Sequence, residues 1–252
     1  MKLLTIALLV LGLAGGALAQ QNGAGPCALV IGYKAAPQNR PELREYLRTT
    51  GVAQFERWQK EGVFAHYQLF FSTMANQGLN DLTVILRFDH FADVARWTRI
   101  EAQAAGGLAT AEHSAAVPVE SDLADVYHTG AAADRDPSKV VCMLIPYSVA
   151  TDMEKYRHYV DGYVVPQMDA WVKRGAMSAY AIYLNQNGAG SAWDALLVLE
   201  YDGYEGLAER EVLKAKVRED LAANATWKQW SMDKSHIRNE QRLTIAEPIL
   251  PP

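Results

Sequence analysis

Short apolar runs with a period of two recur along this chain at 28–34, 64–72, 81–88, 122–128, 140–147, 177–185, 194–201 and 241–246, and each predicts a β-strand. Segments with helical spacing lie between them, at about 41–61, 90–105, 151–174 and 203–222. Pro41 suits a first helical turn, and Thr151-Asp152-Met153-Glu154 has the form of a capping box. Gly62 and Gly175 stand where a helix end favours a left-handed residue. Asn187-Gly188-Ala189-Gly190-Ser191 reads as a hairpin turn rather than a phosphate cradle. The order β-α-β-β-α-β therefore occurs twice.

The two passes also match residue by residue. Shifted by 113 positions, residues 44–95 align with 157–208 without a gap. Identical pairs include Arg44/Arg157, Tyr46/Tyr159, Gln54/Gln167, Trp58/Trp171, Gly62/Gly175, Tyr67/Tyr180, Asp81/Asp194 and Asp89/Asp202. Trp58/Trp171 weighs most, because Trp is rare. The chain accordingly divides into a leader at 1–19, a first repeat at 20–128, a linker at 129–139 (TGAAADRDPSK) and a second repeat at 140–252. The fold class is α+β. A βαββαβ unit resembles the ferredoxin-like fold, and two such units packed sheet to sheet resemble the dimeric α/β-barrel superfamily, here within one chain. The resemblance rests on element order, the duplication and the Trp-x-x-x-Gly helix end. It implies an intrachain barrel and a small-molecule site. Members range over cofactor-free monooxygenases, lyases and cyclases, haem proteins and proteins of unknown role, so no single activity follows.

Alternation sorts the strand side chains into two faces. Tyr67, Leu69, Phe71, Leu82, Val84, Leu86 and Phe88 share an apolar face, as do Tyr180, Ile182, Leu184, Leu197, Leu199 and Tyr201. That face should lie under the helices. The opposite face is mixed, with His66, Gln68, Phe70 and Arg87 in the first half and Tyr183, Leu196, Val198 and Glu200 in the second. In a barrel it faces the lumen, and an apolar wall with a few polar groups is how a small-molecule pocket is built. His66, Arg87 and Glu200 are the candidate catalytic groups, and Gln68, Tyr183 and His128 are the candidate ligand contacts. His66 suits a general base, since an ordinary imidazole titrates near neutrality, and Arg87 suits a developing negative charge. Arg87 and Glu200 hold the same repeat position with opposite signs, so they can pair across the lumen. Tyr46, Gln54 and Trp58 form one helical stripe, repeated as Tyr159, Gln167 and Trp171, which reads as core.

Residues 1–19 read MKLLTIALLVLGLAGGALA, with Lys2 before an apolar run that ends at Ala17-Leu18-Ala19. This is the pattern of a cleaved secretory signal. The expected location is therefore exported, periplasmic or secreted, with no membrane span after cleavage. The chain has 24 basic and 29 acidic residues; without Lys2 the balance is 23 against 29, a net charge of −6. Nothing in that balance suits a nucleic-acid partner. Cys27 and Cys142 leave open either one disulfide or two buried thiols. The six histidines form no tight metal pair, there is no G-x-S-x-G or P-loop, and no cofactor is implied by motif. Some exported relatives of this architecture bind haem through a histidine on the first helix of the second repeat. His158 lies on that helix, but one position from the inward Tyr159, so it should point away from the sheet. The long segment 209–239, with Trp227 and Trp230, suits either a cover for a barrel end or a contact in a homo-oligomer. Two rivals to the lumen site stand beside it: a structural protein whose lumen is filled by side chains such as Phe70 and Tyr183, and a haem or metal protein.

Overall fold

The computed structural model describes residues 25–75, 78–108 and 116–251. The leader lies outside them. The first half runs through β1 (Cys27–Lys34), α1 (Arg40–Tyr46), α2 (Val52–Lys60), β2 (His66–Ser72), β3 (Leu82–Phe88), α3 (Val94–Glu101) and β4 (Val117–Ala131). The second runs through β5 (Val140–Val149), α4 (Met153–Tyr159), α5 (Val165–Lys173), β6 (Ala179–Asn185), β7 (Ala195–Asp202), α6 (Gly203–Leu221), α7 (Ala225–Ile237), β8 (Arg238–Glu240) and β9 (Thr244–Pro248).

β1 pairs with β3 and β4, and β2 pairs with β3, giving the order β4-β1-β3-β2. β5 pairs with β7 and β9, and β6 pairs with β7, giving β6-β7-β5-β9. Two seams then join the halves: β4 with β6 from Ala124↔Asn185 to Ala131↔Ala179, and β2 with β9 from Phe70↔Pro248 to Ser72↔Ala246. Every pairing is antiparallel, and the eight strands close into a barrel. β8 pairs only with β5, outside the ring.

Eight strands leave an interior that side chains alone can fill, and here they do. Ala28, Val30, Phe70, Ile85, Cys142, Leu144, Tyr183, Leu196 and Val198 pack there as one buried cluster. The expected open lumen is therefore replaced by a packed one. The opposite, apolar strand faces lie under the helices in two further cores, one per half.

In the first half that core is aromatic. Trp97 on α3 is buried, stacks on Phe55 with ring centroids 6.3 Å apart and meets Trp58 edge-on at 5.7 Å. Such pairs add about 0.5–1.5 kcal/mol each beyond their buried area. The loop after α3 closes over them. Gly107 there has φ +76°, and a Cβ at that position would lie 2.7 Å from the Trp97 ring. Only glycine meets both demands.

Several local expectations are refined. Both long helices are interrupted by a five-residue π-helical turn, at 47–51 and 160–164, again 113 residues apart. The cap of α4 is Asp152, whose carboxylate accepts from the Lys155 N–H at 2.8 Å; Thr151 lies outside the helix. β4 continues to Ala131, three residues into the segment read as a linker, because its second edge pairs with β6. The segment 209–239 completes α6 and forms α7, which lies over the helix layer of the second half, packed on the π turn before α5. Cys27 and Cys142 are both free: Cys27 belongs to the core under the first-half helices and Cys142 to the barrel interior. Their side chains lie on opposite surfaces of the sheet, so the disulfide that the sequence left open does not form.

Candidate functional site

Two cavities beside polar groups border buried side chains of the barrel sheet, and a larger, open hollow of about 1060 Å³ lies against Asp125, Arg157 and Gln186. The first is one mouth of the barrel, a cavity of about 260 Å³ lined by His66, Gln68, Phe70, Arg135, Val140, Glu200 and the C-terminal turn 248–251. Glu200 is buried and accepts from Arg135 Nε at 2.6 Å, while Gln68 Nε2 lies 3.5 Å from its other oxygen. His66 sits at the rim, and its cross-strand neighbour is Arg87. Burial first, then the charges of Arg87 and Arg135, lower the His66 pKa from its ordinary value. The imidazole is thus biased toward its neutral form. Tyr183 is wholly buried, its hydroxyl has no hydrogen-bond partner, and burial pushes its pKa up to about 12. The opposite mouth holds only about 20 Å³, between Asn80, Glu120, Trp193 and Thr244.

The structure thus gathers His66, Gln68, Arg87, Tyr183 and Glu200 toward one end, as the alternation required, but rearranges their partners. The cross-lumen pair of Arg87 with Glu200 is not made. Arg135, from the segment after β4, folds back over the mouth and takes the Glu200 carboxylate instead. His128 does not join them. A bulge between Val126 and His128 shifts the register, so that His128 faces Ile182, on the helix side of the sheet. One extra residue turns a strand side chain to the other face. His128 Nε2 there lies 3.1 Å from Asp161, which also accepts from the Tyr127 hydroxyl.

The second place is a cleft of about 450 Å³ between the second-half sheet and the helices α5, α6 and α7. Its floor is apolar: Met143, Ile145, Leu197 and Leu199 from the strands, and Met168 and Trp171 from α5. Its rim carries five bases, Arg210, Lys214, Arg218, Lys234 and Arg238, against two acids, Glu211 and Glu240. Arg238 lies over the Tyr147 ring at 3.9 Å and donates to the Tyr159 hydroxyl at 2.9 Å. Arg218 donates to Gln167 at 3.3 Å. Trp171 Nε1 is a buried donor without a hydrogen-bond acceptor, and Arg210 Nε lies 3.2 Å from Glu211 Oε1. Lys214 is buried against Trp171, and burial drives its pKa down to about 8.

The cleft exists because the two helix layers differ. At the 113-residue offset Phe55 answers to Met168, Trp97 to Arg210 and Glu101 to Lys214. Two rings of the first layer, Phe55 and Trp97, are thus answered in the second by a flexible thioether and a base, while Trp58 is answered by Trp171. The mismatch at these aligned positions, Met168 against Phe55 and Arg210 against Trp97, is the signal the sequence held for the cleft. Arg135 gave no such signal, since a residue in a connecting segment has no face to predict.

Haem needs a separate test. No histidine lines the cleft, and His158 is exposed on α4 while its neighbour Tyr159 is buried. The donor set does not fit a histidine-held haem. Among the described residues no group of three His, Cys, Asp or Glu converges to hold a metal ion.

No protein-family profile matches the chain, and no curated protein does. Solved structures are similar across nearly the whole chain. A candidate monooxygenase from Lactobacillus acidophilus superposes with TM-score 0.51 at 11% identity, covering 90% of this chain and 95% of the other. An anthrone oxidase-like protein gives 0.53 at 10%, covering 89% and 91%. The chlorite dismutase of Candidatus Nitrospira defluvii, as an R173K mutant, gives 0.53 at 11%, covering 90% and 92%. Likenesses at this identity establish architecture: the chain has the dimeric α/β-barrel fold, an eight-stranded antiparallel barrel wrapped in helices. They leave its chemistry to the site itself.

Proposed function

We propose that this protein binds a small, anionic, partly apolar molecule in the cleft under α6 and α7. The observation that carries the reading is the asymmetry of the two helix layers. The same layer that Trp97 and Phe55 fill in the first half is open in the second and edged with bases. Its volume lies within the range of ligand pockets, and its apolar floor with few convergent polar groups is their usual chemistry. Similar folds carry names of oxidases and dismutases that act on small molecules, which agrees with a small-molecule site here. The test uses 1-anilinonaphthalene-8-sulfonate, an anionic aromatic probe, against the neutral N-phenyl-1-naphthylamine. The anionic probe should bind with Trp171 quenching and weaken at least tenfold in Arg238→Gln plus Arg210→Gln. The neutral probe should change less than threefold. Equal losses, or none, overturn the reading.

A second reading keeps a site at the barrel mouth, favoured by the chain Arg135–Glu200–Gln68 beside a near-neutral His66. There His66 would serve as base and Arg87 as the cation for a substrate oxygen. His66→Ala and Arg87→Ala should then fold normally and lose any turnover found. The proposal includes two further parts: cleavage of the leader at Ala19 with export of the remainder, and descent of both halves from one duplicated βαββαβ unit. The paired π turns and the positive φ at both Gly62 and Gly175 support the second. The N-terminal sequence of the secreted chain tests the first.

A further inference from the structure

Lys214 stands apart from the other bases of the cleft. Its Nζ rests 4.7 Å from the Trp171 ring centre and 5.7 Å from that of Tyr201, on an apolar wall. Arg210 and Arg218 lie four residues to either side on α6, on the same helix face. The carboxylate nearest to it, Glu211, is 3.8 Å away on a side chain that is 65% exposed; the charge of Glu240, across on β8, also acts on it. Burial and the two guanidinium groups disfavour the ammonium, and the two carboxylates only partly offset them, so the pKa falls to about 8. A lysine desolvated in an apolar pocket beside other cations is the arrangement that makes an amine nucleophilic near neutral pH.

We infer that Lys214 captures the carbonyl group of an oxo acid, as an imine, while the arginines of the cleft hold the acid's carboxylate. The Nζ lone pair adds to the carbonyl carbon, and the carbonyl oxygen takes up a proton. The resulting carbinolamine loses that oxygen as water, with the nitrogen supplying the second proton, and a C=N bond remains. Neither oxidant nor reductant is required. The apolar floor of Met143, Leu197 and Leu199 calls for an aliphatic or aryl group on the acid. This inference rests on the anion-binding reading of the cleft.

The full chain is incubated at pH 8 with phenylpyruvate and sodium cyanoborohydride, which reduces an imine to a stable amine. Intact mass and peptide mapping then locate the adduct. One adduct on Lys214 is expected, absent in Lys214→Arg and retained in Lys173→Arg, whose residue is exposed on α5. The free-amine fraction, and with it the trapping rate, should rise about fiftyfold from pH 6 to pH 8. Unfolding midpoints confirm that both variants fold. Spread of the label over surface lysines, or undiminished label in Lys214→Arg, overturns the inference. Binding of anilinonaphthalene sulfonate without any adduct overturns the amine's role and leaves the cleft standing. An adduct on Lys214 without binding of that probe supports the amine and overturns the anion site.

Discussion

Replacing Trp97 by alanine tests whether the two helix layers differ as described. Trp97 is 1% exposed, with Phe55, Trp58 and Gly107 around it. Truncation leaves a hole on the order of 100 Å³, which at ~24 cal/mol per Å³ costs about 2.4 kcal/mol. Loss of three ring pairs, with Phe55, Trp58 and Phe64, adds about 1.5–4.5 kcal/mol. The sum, about 4–7 kcal/mol, is a large part of the stability of a typical domain. Met168→Ala truncates the second-half counterpart of Phe55, the ring on which Trp97 stacks. Met168 already borders open space, so its loss should fall at the low end for such substitutions, about 2 kcal/mol. Urea unfolding followed by far-ultraviolet circular dichroism measures both, with the slope required to stay constant. If Met168→Ala costs as much as Trp97→Ala, the cleft is closed in solution, and the asymmetry argument falls.

Arg135→Ala strips the buried Glu200 of its ion pair. Because the Arg135 side chain is 28% exposed and water reaches it, the loss should be about 2–4 kcal/mol by urea unfolding. Adding Glu200→Gln should recover most of it. Tyr183→Phe removes a hydroxyl that is buried without a partner, so thermal unfolding should show stability unchanged or raised by about 1 kcal/mol. His66 should titrate below 6.5 in a nuclear magnetic resonance pH series. Since the folded state disfavours its charged form, the unfolded chain takes up that proton first. The contribution of His66 is whole above its unfolded pKa and is lost as pH falls through the folded one, so His66→Gln should flatten the acid limb of the stability profile.

Much of the architecture was legible because strands have a period of two and closure of the barrel sorts that period into inside and outside. Tyr67, Leu69 and Phe71 fell under helices, and Phe70 and Tyr183 fell within. What escaped was set by contacts distant in sequence. β4 outran its expected end because β6 offered a second edge, and one bulged residue sent His128 to the wrong face for the mouth. The packed interior was a matter of volume, and alternation reports direction without volume. The cleft goes with a position where the 113-residue match fails, Arg210 against Trp97, and identical pairs do not mark such a position.

The seam between β2 and β9 also bears on synthesis. Residues 70–72 wait for residues 246–248 as their neighbours. A nascent chain therefore carries β2 with one side unclaimed until residues 246–248 have left the ribosome. Such a border recruits strands from other molecules. A chaperone that shields the growing chain, and a termination codon that falls only a few residues before Pro248, would both act on the same bond line. The first would raise the yield of closed barrels; the second would leave a ring that never shuts.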